Sequence, residues 1–196
     1  MEASIEVRLK RQIVEISQRC GAQGWSPGTL GNISLFDFES KQVYIKRSGT
    51  DLNRLELKDI LTLDLNGNII NGKGKPSIET NFHLGIYKVR KEVRAVFHVH
   101  PPFATAYAVA GIKIPMITEA AKIILVEIPL VPSAPPGSTE LAISVTDCFK
   151  NLRIKAALLK EHGVVVIGET LENAYHITSL VEDTAKVALL SSLIKR

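Results

Sequence analysis

Apolar and polar positions along the chain follow two periods, one typical of amphipathic helices and the other of short strands. Near the beginning, apolar side chains recur every three to four residues, at Ile5, Leu9, Ile13, Ile16 and Cys20. This spacing predicts an amphipathic helix over 5–20 that ends at Gly21 and Gly24. The pattern also predicts later helices over 79–90, 104–110, 139–149 and 170–194.

Short apolar runs between these segments predict the strands. They lie at 33–36, 43–46, 61–65, 95–100, 156–159 and 164–167. Asn66-Gly67-Asn68 is typical of a hairpin turn. Because strands and helices mix in irregular order, the pattern indicates an α/β fold, and we expect a single domain over 1–196.

The composition is that of a globular chain and excludes several other classes. Of the 196 residues, 45% are hydrophobic and 22% are charged. No apolar run approaches the roughly 20 residues of a membrane span, and no basic segment before an apolar stretch indicates a signal peptide. The two cysteines, Cys20 and Cys148, form no CxxC motif and suit reduced thiols. We therefore expect a cytoplasmic protein that does not bind membranes.

The charge balance favours a small anionic ligand over a nucleic acid. The net charge is +4, from 24 basic and 20 acidic residues. The basic residues are scattered, aromatic residues make up only 6% of the chain, and no stacking motif accompanies a basic cluster. We expect no nucleic-acid partner.

The sharpest local signal is Phe97-His98-Val99-His100. Alternate residues of a strand face the same side, so His98 and His100 could share one metal ion, and neutral imidazoles suit zinc. A catalytic zinc usually needs a third protein ligand. His162 is the best remaining candidate because it follows a predicted buried strand and precedes Gly163. Alternatively, the two histidines of the strand are ordinary polar positions on a sheet face.

Glu79 is the second candidate for chemistry. It could act as a general base beside the metal. Alternatively, it is an acidic residue in the first turn of a helix capped by Ser77, where the helix dipole would stabilise it.

Loops of small residues are the third candidate. Gly28-Thr29-Leu30-Gly31-Asn32 and Ser48-Gly49-Thr50 adjoin predicted strands, and the backbone N–H groups of such loops can form a nest for an anion. Ser77, at a helix start, would add a hydroxyl. Ordinary turn chemistry would also explain either loop alone.

Six short segments occur in an order that spans nearly the whole chain: 28–34, 48–49, 75–79, 95–101, 131–138 and 158–163. They include Lys75-Pro76-Ser77-Ile78-Glu79 and Leu158-Leu159-Lys160-Glu161-His162-Gly163. Each is modest alone, but the six together resemble the class II aldolase/adducin family. Its members include sugar-phosphate aldolases of the L-fuculose-1-phosphate type, epimerases and dehydratases.

The resemblance implies a three-layer α/β/α fold around a mainly antiparallel sheet, and a homotetramer with sites between subunits. It implies that His98, His100 and His162 bind one zinc ion per subunit, although another divalent metal is possible. Glu79 would be the acid/base. The phosphate of the substrate would be bound by Gly31, Asn32, Ser48, Gly49 and Ser77.

The resemblance also implies a reaction. Zinc would stabilise an enediolate as a Lewis acid while a ketose 1-phosphate is cleaved to dihydroxyacetone phosphate and an aldehyde. The loops would hold the phosphate in place during this step.

Departures from the family pattern leave alternatives open. Ile78 replaces a serine, which removes one phosphate hydroxyl. Glu119 stands where the aldolase has a neighbour's tyrosine, and it could match the neighbour-supplied glutamate of a methylthioribulose-1-phosphate dehydratase. Ile123 argues against an epimerase. Locally, Glu119 could instead be a helix first-turn residue after Thr118. A non-catalytic, adducin-like module is the alternative from another class, and the zinc content would discriminate it from an enzyme.

Overall fold

The computed structural model describes residues 3–194. Met1, Glu2, Lys195 and Arg196, which the single-domain prediction includes, lie outside the described residues. The helices are α1 (Ile5–Ala22), α2 (Thr80–Val89), α3 (Pro102–Ala110), α4 (Glu119–Ile124), α5 (Thr139–Cys148) and α6 (Leu171–Ile194). The strands are β1 (Asn32–Asp37), β2 (Gln42–Lys46), β3 (Ile60–Leu63), β4 (Ile69–Asn71), β5 (Ala95–Val99), β6 (Leu130–Val131), β7 (Ala156–Leu159) and β8 (Gly163–Gly168).

Within residues 3–194 the strands form one sheet of eight, in the order β4-β3-β2-β1-β5-β8-β7-β6. Every neighbouring pair is antiparallel except β6 and β7, which are parallel. The predicted strands are all present. The apolar pattern missed β4 because its residues are exposed, and β6 because it has only two residues.

Helices cover both faces of this sheet, which confirms the three-layer α/β/α fold. One apolar core joins α1, α3, α4 and α6 to alternate strand residues such as Ile33 and Phe97. The other core joins α2 and α5 to the intervening residues, such as Phe36 and Val96. Because the side chains of a strand alternate between faces, the polar residues Asn32, Ser34 and His98 lie on the α2 side.

Several helix bounds differ from the sequence prediction by one or two residues. Helix α1 continues through Gly21, where a side chain would collide with the Asn53 amide. Helix α2 begins later than predicted, with Glu79 rather than Ser77 at its N-cap. The Ser77 carbonyl accepts hydrogen bonds from the N–H and the hydroxyl of Thr80, which forms a turn before the helix. The apolar pattern did not predict helix α4, although one alternative for Glu119 was the first turn of a helix after Thr118, which is where α4 begins.

None of the helices within residues 3–194 is both long and apolar enough to cross a lipid bilayer.

Candidate metal centre and anion cavity

The candidate site lies at one end of the central strands of the sheet, on the α2 side. Strand β1 begins there, β5 ends there, and the turn before β8 adds His162. Asn32 and His98 are directly paired residues of β1 and β5, so their side chains lie next to each other. The start of α2 brings Glu79 to the same place, which places all four side chains within one small region.

The three predicted ligands come together as a compact group. His98, His100 and His162 each offer a ligand atom, and these atoms lie within 4.8 Å of one another. The ring centres are 4.7 Å apart for His98–His100, 4.7 Å for His98–His162 and 5.5 Å for His100–His162. A metal ion bound by three imidazoles requires this kind of clustering.

Gly163 makes the approach of His100 possible. A Cβ atom on this residue would lie 2.6 Å from the His100 Cδ2 atom and 2.8 Å from the Val99 carbonyl oxygen. Both distances are too short for a real contact. Glycine at this position therefore allows the turn that carries His162 to pack against His100.

His98, in β5, and His100, directly after β5, are suited to a metal because they are uncharged. Burial, followed by repulsion from His162, lowers the pKa of His98 to about 3. Burial, followed by repulsion from His98, lowers the pKa of His100 to about 3. The Nδ1–H of His98 donates to the Val164 carbonyl at 3.1 Å, which leaves the lone pair on Nε2.

Glu79 faces these nitrogen atoms. Its carboxylate is 5% exposed, and Oε2 lies 3.2 Å from His98 Nε2 while Oε1 lies 3.4 Å from His162 Nε2. Within residues 3–194, His98 Nε2 and Glu79 Oε1 have no hydrogen-bond partner. A buried carboxylate that faces a nitrogen lone pair is unfavourable unless a cation shares the space. The donor set therefore fits a divalent metal.

Asn32 and the helix stabilise the charge on Glu79. The Asn32 Nδ2–H donates to Glu79 Oε2 at 2.9 Å. Glu79 is also the N-cap residue of α2, where the positive end of the helix dipole favours a negative charge. Its side chain makes no capping hydrogen bond, so it is directed away from its own helix.

All five predicted phosphate-binding residues line one cavity with these groups. The cavity has a volume of about 460 Å³. Its lining includes the predicted residues Gly31, Asn32, Ser48, Gly49, Ser77, Glu79, His98, His100 and His162. Ser77 keeps a weak local contact, because its hydroxyl accepts from the Glu79 N–H at 3.4 Å.

Lys46 is a cavity residue that the sequence analysis missed. It is 2% exposed, and its Nζ donates to the carbonyls of Thr29 at 3.0 Å and Thr50 at 2.5 Å. Burial lowers its pKa to about 8. The one available signal was its place at the end of β2, directly before Arg47-Ser48-Gly49, where a lysine normally indicates a solvent-exposed position.

Glu119 lies outside this cavity in its own chain. It is in the first turn of α4, after Thr118, whose hydroxyl accepts from the Ala121 N–H. Its side chain is 80% exposed and pairs with Lys122 at 2.6 Å. This is the local arrangement expected of a helix first-turn residue, and a role in the site of a neighbouring subunit stays a prediction.

Comparisons with known proteins point to one family. Residues 11–189 match the model of the family described as Class II Aldolase and Adducin N-terminal domain. The chain is 36% identical over 168 residues to an L-fuculose phosphate aldolase of Methanococcus maripaludis, which covers 86% of this chain and 89% of the relative. It is also 31% identical over 183 residues to a 3-oxo-tetronate 4-phosphate decarboxylase of Haemophilus influenzae, with 91% and 85% covered.

A solved structure shows the same fold. The structure of an L-fuculose 1-phosphate aldolase superposes with a TM-score of 0.91 and 28% identity, and the match covers 99% of this chain and 90% of that one. The family match extends over most of the chain, and the sheet and helices agree throughout. The chain therefore belongs to the class II aldolase and adducin family.

Proposed function

We propose that this protein is a metal-dependent aldolase that cleaves a ketose 1-phosphate to dihydroxyacetone phosphate and an aldehyde. The observation that carries the proposal is the buried Glu79 carboxylate facing uncharged His98, in a cavity that the predicted phosphate-binding residues also line. The names of the fuculose phosphate aldolase relatives support the same reaction class.

The phosphate end of the substrate would bind at the loops. Gly31 and Gly49 have φ angles of 74° and 76°, a conformation in which backbone N–H groups can converge on an anion. The Ser48 N–H already donates to the Lys75 carbonyl, so Ser48 would offer its hydroxyl instead. Lys46 adds a positive charge to the lining. These groups would fix the orientation of the substrate.

The ketone end would lie near the histidines. His98, His100 and His162 would hold one divalent metal per subunit, and we propose zinc because three imidazoles suit it. When bound, the metal supplies Lewis acidity at the oxygen atoms of the substrate.

Glu79 would then move the proton that the reaction requires. Cleavage removes a proton from the hydroxyl on the substrate carbon that becomes the aldehyde, and it breaks the C–C bond between this carbon and the carbon beside the ketone. The carbon beside the ketone keeps the electron pair and needs a proton in its place. Oε1 of Glu79, which has no partner within residues 3–194, would take up a proton from solvent and deliver it to this carbon.

We further propose a homotetramer in which the partner subunit's Glu119 supplies the second proton transfer. The exposure of Glu119 leaves its carboxylate accessible to a neighbour. The partner subunit's Glu119 would also supply the acid/base of the alternative reaction, dehydration of a methylthioribulose-1-phosphate-like substrate.

A substrate panel with separate product assays tests the proposal. The zinc-loaded protein is incubated with ketose 1-phosphates, and release of dihydroxyacetone phosphate, dehydration and release of carbon dioxide are each measured. Glu79→Gln is the matched control for each reaction. We expect cleavage that the control loses. Dehydration or decarboxylation without cleavage would overturn the aldolase proposal.

A further inference from the structure

Behind the candidate site, five buried polar side chains form a continuous hydrogen-bonded chain. They are Tyr87, Ser34, His83, Asn32 and Glu79, and none is more than 5% exposed. Ser34 Oγ lies 2.7 Å from Tyr87 Oη and 2.7 Å from His83 Nδ1. His83 Nε2 lies 2.5 Å from Asn32 Oδ1, and Asn32 Nδ2 lies 2.9 Å from Glu79 Oε2.

The chemistry of these groups gives the chain one direction. A carboxylate only accepts, so the Asn32 amide must present its N–H to Glu79 and its oxygen to His83. That oxygen also only accepts, so His83 must carry its proton on Nε2. The lone pair then lies on Nδ1, which accepts from the Ser34 hydroxyl. Ser34 in turn accepts from the Tyr87 hydroxyl.

The opposite orientation is excluded by repulsion. A flipped Asn32 amide would place its oxygen against Glu79 Oε2, so that two buried acceptors would face each other. Burial also lowers the pKa of His83 well below its ordinary value, which keeps the ring neutral with a single proton. Burial raises the pKa of Tyr87, which keeps its hydroxyl a donor.

We infer that His83 is a positioning residue, whose Nε2–H holds the Asn32 amide so that it bonds one oxygen of Glu79 and leaves the other free. This inference rests on the proposed role of Glu79. Helix α2 carries Glu79 and His83 one turn apart, so the two residues flank Asn32 from the same helix. Without His83, the buried Asn32 amide could turn its oxygen toward Glu79.

The first test needs no enzymatic activity. In ¹⁵N-labelled protein, long-range correlations between ring protons and ring nitrogens distinguish the two neutral tautomers of histidine. They are recorded at neutral pH with and without zinc, and the His83→Gln variant assigns the signals. We expect His83 as the Nε2–H tautomer in both states. An Nδ1–H tautomer or a doubly protonated ring would overturn the inference, whatever the reaction of the enzyme proves to be.

The second test separates positioning from packing. His83→Gln retains an amide N–H that can donate to Asn32, whereas His83→Leu fills the same space without a donor. We expect His83→Leu to lower kcat by about 10- to 100-fold with KM and zinc content nearly unchanged. His83→Gln should recover most of that loss. Equal kcat values for the two folded, zinc-loaded variants would overturn the inference.

A third variant covers the case in which His83→Leu fails to fold. Ser34→Ala removes the donor to His83 Nδ1, so it frees the ring to change tautomer while the imidazole stays in place. We expect an Nδ1–H population in its spectrum together with a reduced kcat. An Nδ1–H population with an unchanged kcat would contradict the positioning role. Absence of cleavage in the wild-type protein would count against the proposed function alone, because the tautomer measurement stands without it.

Discussion

The starts of α2 and α4 each carry a glutamate, and the surroundings of these two residues differ completely. Glu79 is buried against two histidines and Asn32. Glu119 extends into solvent and pairs with Lys122 on its own helix. The sequence analysis gave Glu79 an acid/base role, matched Glu119 to a glutamate supplied by a neighbouring subunit, and weighed an ordinary helix-start role for both.

The capping pattern explains the difference. At α4, Thr118 supplies the capping hydroxyl and Lys122 neutralises the carboxylate, so Glu119 is satisfied locally. At α2, Glu79 is itself the N-cap residue and its side chain makes no capping bond. Its partners come from β1 and β5 instead. A carboxylate that lacks local partners and is buried by distant strands is the stronger candidate for chemistry.

Removing His98 should give the largest effect, because it removes one of the predicted metal ligands that face Glu79. We expect His98→Ala to bind zinc at least about 10²-fold more weakly and to lose activity. Metal analysis and circular dichroism of the purified protein measure binding and folding. His176→Ala, at an exposed histidine of α6, is the matched control. Full zinc content in folded His98→Ala would disprove the ligand assignment.

Replacing Glu79 tests its proposed acid/base role directly. Glu79→Gln keeps the shape of the side chain and removes its charge, so we expect turnover to fall about 10²- to 10⁴-fold. Zinc should remain bound, since the three histidines are intact. Unchanged turnover would reduce Glu79 to a partner of the α2 dipole.

Mixing two variants tests whether Glu119 acts in the site of a neighbouring subunit. We expect Glu119→Gln alone to lower turnover about 10²-fold, at the lower end of the range for a lost acid or base. When its subunits exchange with those of Glu79→Gln, about a quarter of the intersubunit sites regain both carboxylates, and activity should rise accordingly. A fully active Glu119→Gln would make the residue a surface helix-start group and remove the main support for dehydration.

A smaller effect is expected in the pH dependence of the free energy of unfolding, to which the buried His98 beside Glu79 contributes. The pKa of His98 is about 3 in the folded chain, against an ordinary value of 6.5, so below pH 6.5 only the unfolded chain binds this proton. The free energy of unfolding of the metal-free protein should therefore decrease as the pH is lowered, by about 1.4 kcal/mol per pH unit for each such histidine.

Urea unfolding between pH 6.5 and 5 measures this slope. We expect His98→Ala to reduce the slope by about one proton, since it removes one titrating group. Equal slopes for His98→Ala and wild type would contradict a neutral, buried His98.

Much of the site was predictable because its signals are local. Alternation along a strand placed His98 and His100 on one face, and the glycine after His162 indicated a close approach. Lys46 and His83 could not be identified in this way. Their importance depends on partners distant in sequence, namely Thr29 for Lys46 and Asn32 with Ser34 for His83. For His83, the only sign visible in the sequence was its spacing from Glu79 and Tyr87 along one face of α2.

Backbone geometry links periodicity to secondary structure within a few residues, so the pattern alone indicated most helices, most strands and the shared face of the histidine pair. Short or exposed elements such as β4, β6 and α4 lack that periodic signal. The meeting of residues from β1, α2, β5 and the turn before β8 depends on the pairing of β1 with β5 and of β5 with β8, in which partner residues lie 60 or more positions apart. Burial, the lowered pKa values and the direction of the hydrogen-bonded chain exist only once that pairing has excluded water.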